Sequence, residues 1–160
     1  MGFQIVGARE SDWSLIVERS KETVWRDLSP QRREGLEKGL VAQRLNRFIG
    51  EIRDDRSRPH QAFVARDEGG RFAGYIWLTE NTDYFTGQKQ AFVLDIYVEE
   101  KQRRKGLGRR LLELAERWGE ERGYRFIALS VAAHNVVARG LYEKRGYQEE
   151  WVGMSKRLLE

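Results

Sequence analysis

Apolar residues change period several times along this chain, and each change marks an element. Residues 3–8 alternate apolar with polar or small side chains, as a half-buried strand does. From Trp13 the spacing turns helical: Trp13, Ile16, Val17 and Val24 share one face to about Trp25, with Ser11 or Asp12 as cap. Ser29-Pro30 is a second start signal, with proline at the first helical position. Leu36, Leu40, Val41, Leu45, Phe48, Ile49 and Ile52 recur at helical spacing, so one long amphipathic helix is predicted to about Arg53. A polar connector over 54–59 leads to strands over 61–67 and 71–79, joined by a tight turn at Glu68-Gly69-Gly70. The polar loop 80–89 carries Tyr84 and Phe85, which either touch substrate or pack partly against the sheet.

The stretch 91–110 organises the rest of the chain. Ala-Phe-Val-Leu-Asp-Ile-Tyr-Val continues a strand over 90–98. A charged loop with Arg103, Arg104, Lys105, Gly106 and Gly108 comes next, and Leu107, Leu111, Leu114, Ala115 and Trp118 then keep helical spacing to about Arg122, with Gly123 as stop. Residues 125–131 read as a largely apolar interior strand, 136–144 as a short helix ended by Gly146, and 147–158 as the last strand or strands. The order is β-α-α-β-β-β-α-β-α-β in one domain over 1–160, a mixed α/β sheet flanked by helices. A helix crosses between the 90–98 and 125–131 strands, so those two are parallel neighbours.

A strand, a basic turn with glycines and a helix start make an anion site. The first N–H groups of a helix lack internal partners, and the helix dipole is positive there. Gly106 and Gly108 allow close approach to the backbone, and Arg103, Arg104, Lys105 and Arg109 add field, which suits a pyrophosphate. A P-loop is excluded because Gly108 is followed by Arg109-Arg110, and a dinucleotide fingerprint because position 111 is Leu.

Arg103-x-x-Gly106-x-Gly108 after a strand resembles the acetyl-CoA motif of the GCN5-related N-acetyltransferases (GNAT), Gln/Arg-x-x-Gly-x-Gly/Ala. Leu129-Ser130-Val131-Ala132-Ala133-His134-Asn135, then Ala138, Leu141-Tyr142-Glu143-Lys144 and Gly146-Tyr147, resembles the family's second signature, in the family's order and separation. The resemblance implies a GNAT-like sheet whose two parallel strands splay, with the pantetheine arm of acetyl-CoA in the gap. It implies that Arg103, Arg104, Lys105, Gly106, Leu107, Gly108 and Arg109 hold the cofactor phosphates, and that the backbone of Ile96, Tyr97 and Val98 pairs with pantetheine. One N–H there, of Tyr97 or Val98, polarises the thioester, aimed by a β-bulge. Asn135 hydrogen-bonds the cofactor arm, caps the following helix, or does both. Tyr142, seven residues after Asn135, is the implied general acid, a phenol of reference pKa ~10 donating to a thiolate of reference pKa ~8.5. The reading against it is a core tyrosine packing a short helix.

The base is open among Glu80, Asp95 and water. N-terminal acetyltransferases of the ribosomal-protein type carry Glu where this chain has Ser130, which argues against that subgroup. An α-amine, pKa ~7.7–8.0, is neutral in roughly a tenth of molecules or more at pH 7, a lysine-like amine in about one in a few thousand. A weakly basic site therefore leans slightly toward the first kind of acceptor.

Composition narrows the field. The chain has no cysteine, so it has no disulfide, thiol nucleophile or thiolate metal site, and its two histidines lie far apart and suggest no metal. No apolar run reaches membrane-span length and no signal segment opens the chain, so a cytoplasmic location is expected, with no membrane partner. The formal net charge of +4 and pI near 9.5 suit either a polyanionic cofactor or nucleic acid. No helix-turn-helix, zinc-finger or RNP pattern supports nucleic acid, so a basic nucleic-acid-binding module is the alternative, beside a CoA-binding regulatory domain without catalysis. The expected activity is acetyl transfer by direct attack of a primary amine, on a small molecule or a peptide or protein N-terminus, with homodimerisation left open. Trp13, Trp25, Trp77 and Trp151 read mainly as core residues rather than an aromatic acceptor wall.

Overall fold

The computed structural model describes residues 2–160. The strands are Gln4–Gly7 (β1), His60–Arg66 (β2), Phe72–Thr82 (β3), Lys89–Val98 (β4) and Ile127–Leu129 (β5). The helices are Trp13–Asp27 (α1), Pro30–Arg33 (α2), Lys38–Asp54 (α3), Leu107–Glu121 (α4) and Val136–Lys144 (α5). All five strands form one sheet in the order β1-β2-β3-β4-β5. The first three pairings are antiparallel and β4–β5 is parallel, as the α4 crossover requires.

Alternation along the strands divides the core in two. On one face Ile76, Leu78, Ala91 and Val93 meet Leu107, Leu111, Ala115 and Trp118 of α4 and Tyr142 of α5. On the other Val64, Tyr75 and Trp77 meet Trp13 and Ile16 of α1 and Ile49 and Ile52 of α3. Trp13 and Trp77 pack edge to face with centroids 5.0 Å apart, so these two tryptophans are core residues as expected, whereas Trp151 is 72% exposed and lies outside the core.

The sheet is irregular where β4 is about to lose its neighbour. Trp77 pairs with Asp95 but Leu78 pairs with Val93, so Leu94 is an extra residue and β4 bulges there. β5 pairs with β4 only from Ala91↔Ile127 to Val93↔Leu129. Beyond Val93 the β5-side edge of β4 has no strand beside it, and the two parallel strands part.

Two elements differ from the sequence reading. The long second helix is broken: α2 stops at Arg33, Gly35 is left-handed (φ +74°), and α3 starts at Lys38. Helical spacing on both sides hid a stop that a single φ > 0 residue imposes. The expected strand or strands over 147–158 do not form. β5 offers only three residues for pairing, and the tail bonds to α2 instead, Gln31 Nε2 donating to the Ser155 carbonyl at 2.9 Å and Arg157 Nη2 to the Gln31 carbonyl at 2.6 Å.

Close approach of β3 to β4 seats the start of α4. A Cβ on Gly74 would stand 2.4 Å from the Tyr97 carbonyl oxygen and 3.4 Å from Leu107 Cδ2. Gly74→Ala is therefore predicted to cost about 1–3 kcal/mol or more in urea unfolding, because backbone must move. Gly140→Ala, in open space within α5, is predicted to be neutral or to stabilise by up to ~1 kcal/mol.

Candidate active site

β4 ends at Val98 and a 3-10 turn over Glu100–Gln102 leads into the basic loop. Arg103 folds back, its Nε donating to the Val98 carbonyl at 3.0 Å, which ties the loop to the strand end. Arg104 is left-handed (φ 63°), rare for a residue with a side chain, and Gly106 caps α4 at φ 80°. Arg110 N–H makes the first bond of the helix, to the Gly106 carbonyl at 3.1 Å. Among the described residues no acceptor takes the N–H groups of Arg104, Lys105, Gly106, Leu107, Gly108 or Arg109. These groups and the α4 dipole together can take a polyphosphate-like anion.

The charges around this cradle are unequal. Arg109 pairs with Glu113 at 3.0 Å, and Lys105 donates to Gln102 at 3.1 Å. Arg104 has no charged partner among the described residues, so its field is fully available. Gly108 sits where a Cβ would come 3.0 Å from Leu141 Cδ2, and so lets α5 lie close to the loop.

Ile96, Tyr97 and Val98 lie on the part of β4 that β5 has left. The bulge turns Leu94 and Asp95 both toward α1. Asp95 Oδ2 accepts from Ser20 Oγ at 2.7 Å and from the Tyr75 hydroxyl at 2.5 Å. Burial pushes the Asp95 carboxyl above its ordinary range, and the two hydroxyl bonds pull against that. Tyr97 stacks on Tyr75 with centroids 5.9 Å apart, and Arg19 bridges to Glu99 at 2.8 Å beside it.

Tyr142 belongs to the α4-side core and is 8% exposed. Its hydroxyl has no hydrogen-bond partner among the described residues. Burial first, then the charges of Asp95 and Asp27, push its phenol up to about 12. Those carboxylates stand on the α1 side, so charge on one side of the sheet acts on a phenol of the other. Asn135 Oδ1 accepts from Ala138 N–H at 3.2 Å and caps α5, while His134 Nε2 lies 3.1 Å from the Arg26 carbonyl and joins this loop to the end of α1.

Glu80 is not part of this group. It faces Ala91, on the paired part of β4, accepting from the Tyr124 hydroxyl at 2.5 Å and pairing with Lys89 at 3.4 Å. Tyr84 is 89% exposed and is not packed on the sheet, and Phe85 stacks on Trp151 at 4.7 Å. Ser20 and Asp27 escaped the sequence reading. Their signal was available: Ser20, Thr23 and Asp27 put polar groups at positions i, i+3 and i+7 on the face that Ile16 begins.

The chain has similar counterparts among known proteins. The uncharacterised N-acetyltransferase YycN of Bacillus subtilis (strain 168) is 36% identical over 85 residues, 53% of this chain and 53% of that protein. The chain spans a little over half the length of the curated relatives it matches first. A proposed acetyl transferase from Pyrococcus furiosus superimposes with a TM-score of 0.81 at 26% identity, over 98% of this chain and 100% of that one. The solved structure of YycN superimposes with a TM-score of 0.76 at 22% identity, over 99% of this chain and 100% of that one, and carries the fold alone. With the family model for the acetyltransferase (GNAT) family matching residues 21–147, which hold the bulged strand, the cradle and Tyr142, the chain belongs to that family.

Proposed function

We propose that this chain moves an acetyl group from acetyl-CoA to a primary amine, on a small molecule or a peptide N-terminus, by direct attack within one complex. The carrying observation is Tyr142, a buried side chain whose hydroxyl has no hydrogen-bond partner among the described residues, at the parting of β4 and β5, one strand end away from a cradle of unpaired N–H groups. In this reading the cradle over Arg103–Arg109 binds the phosphates, the open edge at Ile96, Tyr97 and Val98 pairs with the pantetheine arm, and Asn135 uses its amide N–H groups on the same arm. A β4 N–H, of Tyr97 or Val98, stabilises the oxyanion.

The proton balance involves both faces of the sheet. Asp95 takes one proton from the acceptor ammonium, and the neutral nitrogen attacks the thioester carbon. The C–S bond then breaks and sulfur receives a proton from Tyr142. The proton that nitrogen sheds on becoming an amide restores the phenol. A phenol at about 12 is a weaker acid than a thiol at ~8.5, so Tyr142 first acts as a hydrogen-bond donor to the thiolate. Protonation of Asp95 removes one of the charges that hold the phenol up, so the base step prepares the acid step.

Three outcomes are predicted. Isothermal titration gives micromolar binding of acetyl-CoA and weaker binding of ADP, and no binding at millimolar acetyl-CoA overturns the assignment. Tyr142→Phe lowers kcat by about a hundredfold or more with acetyl-CoA affinity nearly unchanged. Arg104→Gly raises stability by up to ~1 kcal/mol by relieving the left-handed backbone, yet weakens acetyl-CoA binding severalfold.

Asp95→Asn is predicted to abolish most turnover while raising Tm at pH 7. The folded-state pKa of Asp95 lies above the unfolded one, so its charge destabilises the fold above that pKa. The gain in Tm shrinks as pH falls into the ordinary carboxylate range, where both states are protonated. Thermal unfolding of the two proteins across pH checks the sign.

A further inference from the structure

Asp95 is a carboxylate in a place that disfavours charge, and among the described residues no Lys, Arg or His forms an ion pair with it. Its bonds come from neutral hydroxyls, Ser20 and Tyr75. Neutral donors ease desolvation but leave the charge itself uncompensated. Asp27 is also weakly satisfied, with only Arg26 Nε at 3.7 Å, and its side chain is 28% exposed. Between them on the same face of α1, the Thr23 Oγ1 atom is fully buried without a hydrogen-bond partner among the described residues. Across the parted strands Tyr142, nine-tenths buried, also lacks a partner while both carboxylates act on it. One carboxylate without an ion pair, a second held by a single long one, an orphaned hydroxyl and an unpartnered phenol are together what a bound cation would satisfy.

The spacing limits which cation. Ser20 sits against Asp95, and Asp27 follows Ser20 by seven residues, about 10 Å along the axis at 1.5 Å per residue. The reach of both side chains shortens that distance to the span of a short alkyl chain. We propose that Asp95 and Asp27 form a two-point ammonium site and that the acceptor is a short aliphatic diamine or a larger amine presenting that pair of charges. One amine reacts at Asp95 while the second rests at Asp27. An acceptor with a carboxylate or phosphate at the far end is repelled by Asp27, so the site selects by charge as well as by the reacting group. This inference rests on the acetyl-transfer reading above and names its acceptor class.

Titrating three amines of equal chain length into protein saturated with CoA tests it without turnover: terminal diaminobutane, butylamine and terminal aminobutanoate. The diamine is expected to bind at least about tenfold more tightly than aminobutanoate. Asp27→Asn is expected to cut the diamine-to-butylamine affinity ratio about tenfold, and Asp27→Glu to retain most of it. The same order is expected in kcat/KM for acetylation. Aminobutanoate matching the diamine, a ratio unmoved by Asp27→Asn, or no amine binding by protein that does bind CoA each overturns the diamine site and leaves acetyl transfer standing. Protein that fails to bind CoA overturns acetyl transfer, and this inference with it.

Discussion

The structure depends on the loss of pairing between β4 and β5. A sheet holds its strands about 4.8 Å apart and separates the chemistry of its two faces. Here the separation holds through Val93 and then ends, because Leu94 adds a residue to β4 and β5 has none left to offer beyond Leu129. Backbone groups on the open edge of β4 are left for another partner. Tyr142, rooted in one core, also carries the charge of Asp95 and Asp27, rooted against the other, which adds to burial in pushing its phenol up.

Features that cost stability gather around this opening. Arg104 holds a backbone conformation that disfavours side chains, Asp95 keeps a carboxylate where burial resists charge, and the N–H groups at the start of α4 lack acceptors. The regular sheet nearby offsets them. Tyr75, Ile76 and Leu78 on β3 are fully buried, and the edge-to-face pair of Trp13 and Trp77 anchors α1 so that Ser20 can reach Asp95. Trp13 and Ser20 lie on the same helix, two turns apart.

The strand, basic turn and helix over 91–110 were legible because the period changes sharply there and two glycines mark the turn. The short helix that carries Tyr142 and its cap at Asn135 were legible through their spacing. The bulge at Leu94 was not, since one inserted residue in an apolar run leaves the composition of a strand unchanged. The break at Gly35 was masked by helical spacing on both sides of it. The tail over 147–158 has strand-like residues, but pairing needs a neighbour of adequate length, and β5 is too short to provide one. Ser20, Thr23 and Asp27 interrupt the face that Ile16 begins, and only the fold shows that Ser20 on it reaches β4.

An opening through the sheet also has a kinetic meaning. On the reading proposed above, a donor held at the α4 start and an acceptor held against α1 would approach from different directions, and neither would have to leave for the other to enter. The 160 residues include no cysteine to carry the acetyl group between two half-reactions. Initial-rate lines that intersect, rather than run parallel, are the signature of such a two-sided passage. On that reading, the parting of two strands lets both substrates be bound before any bond is made.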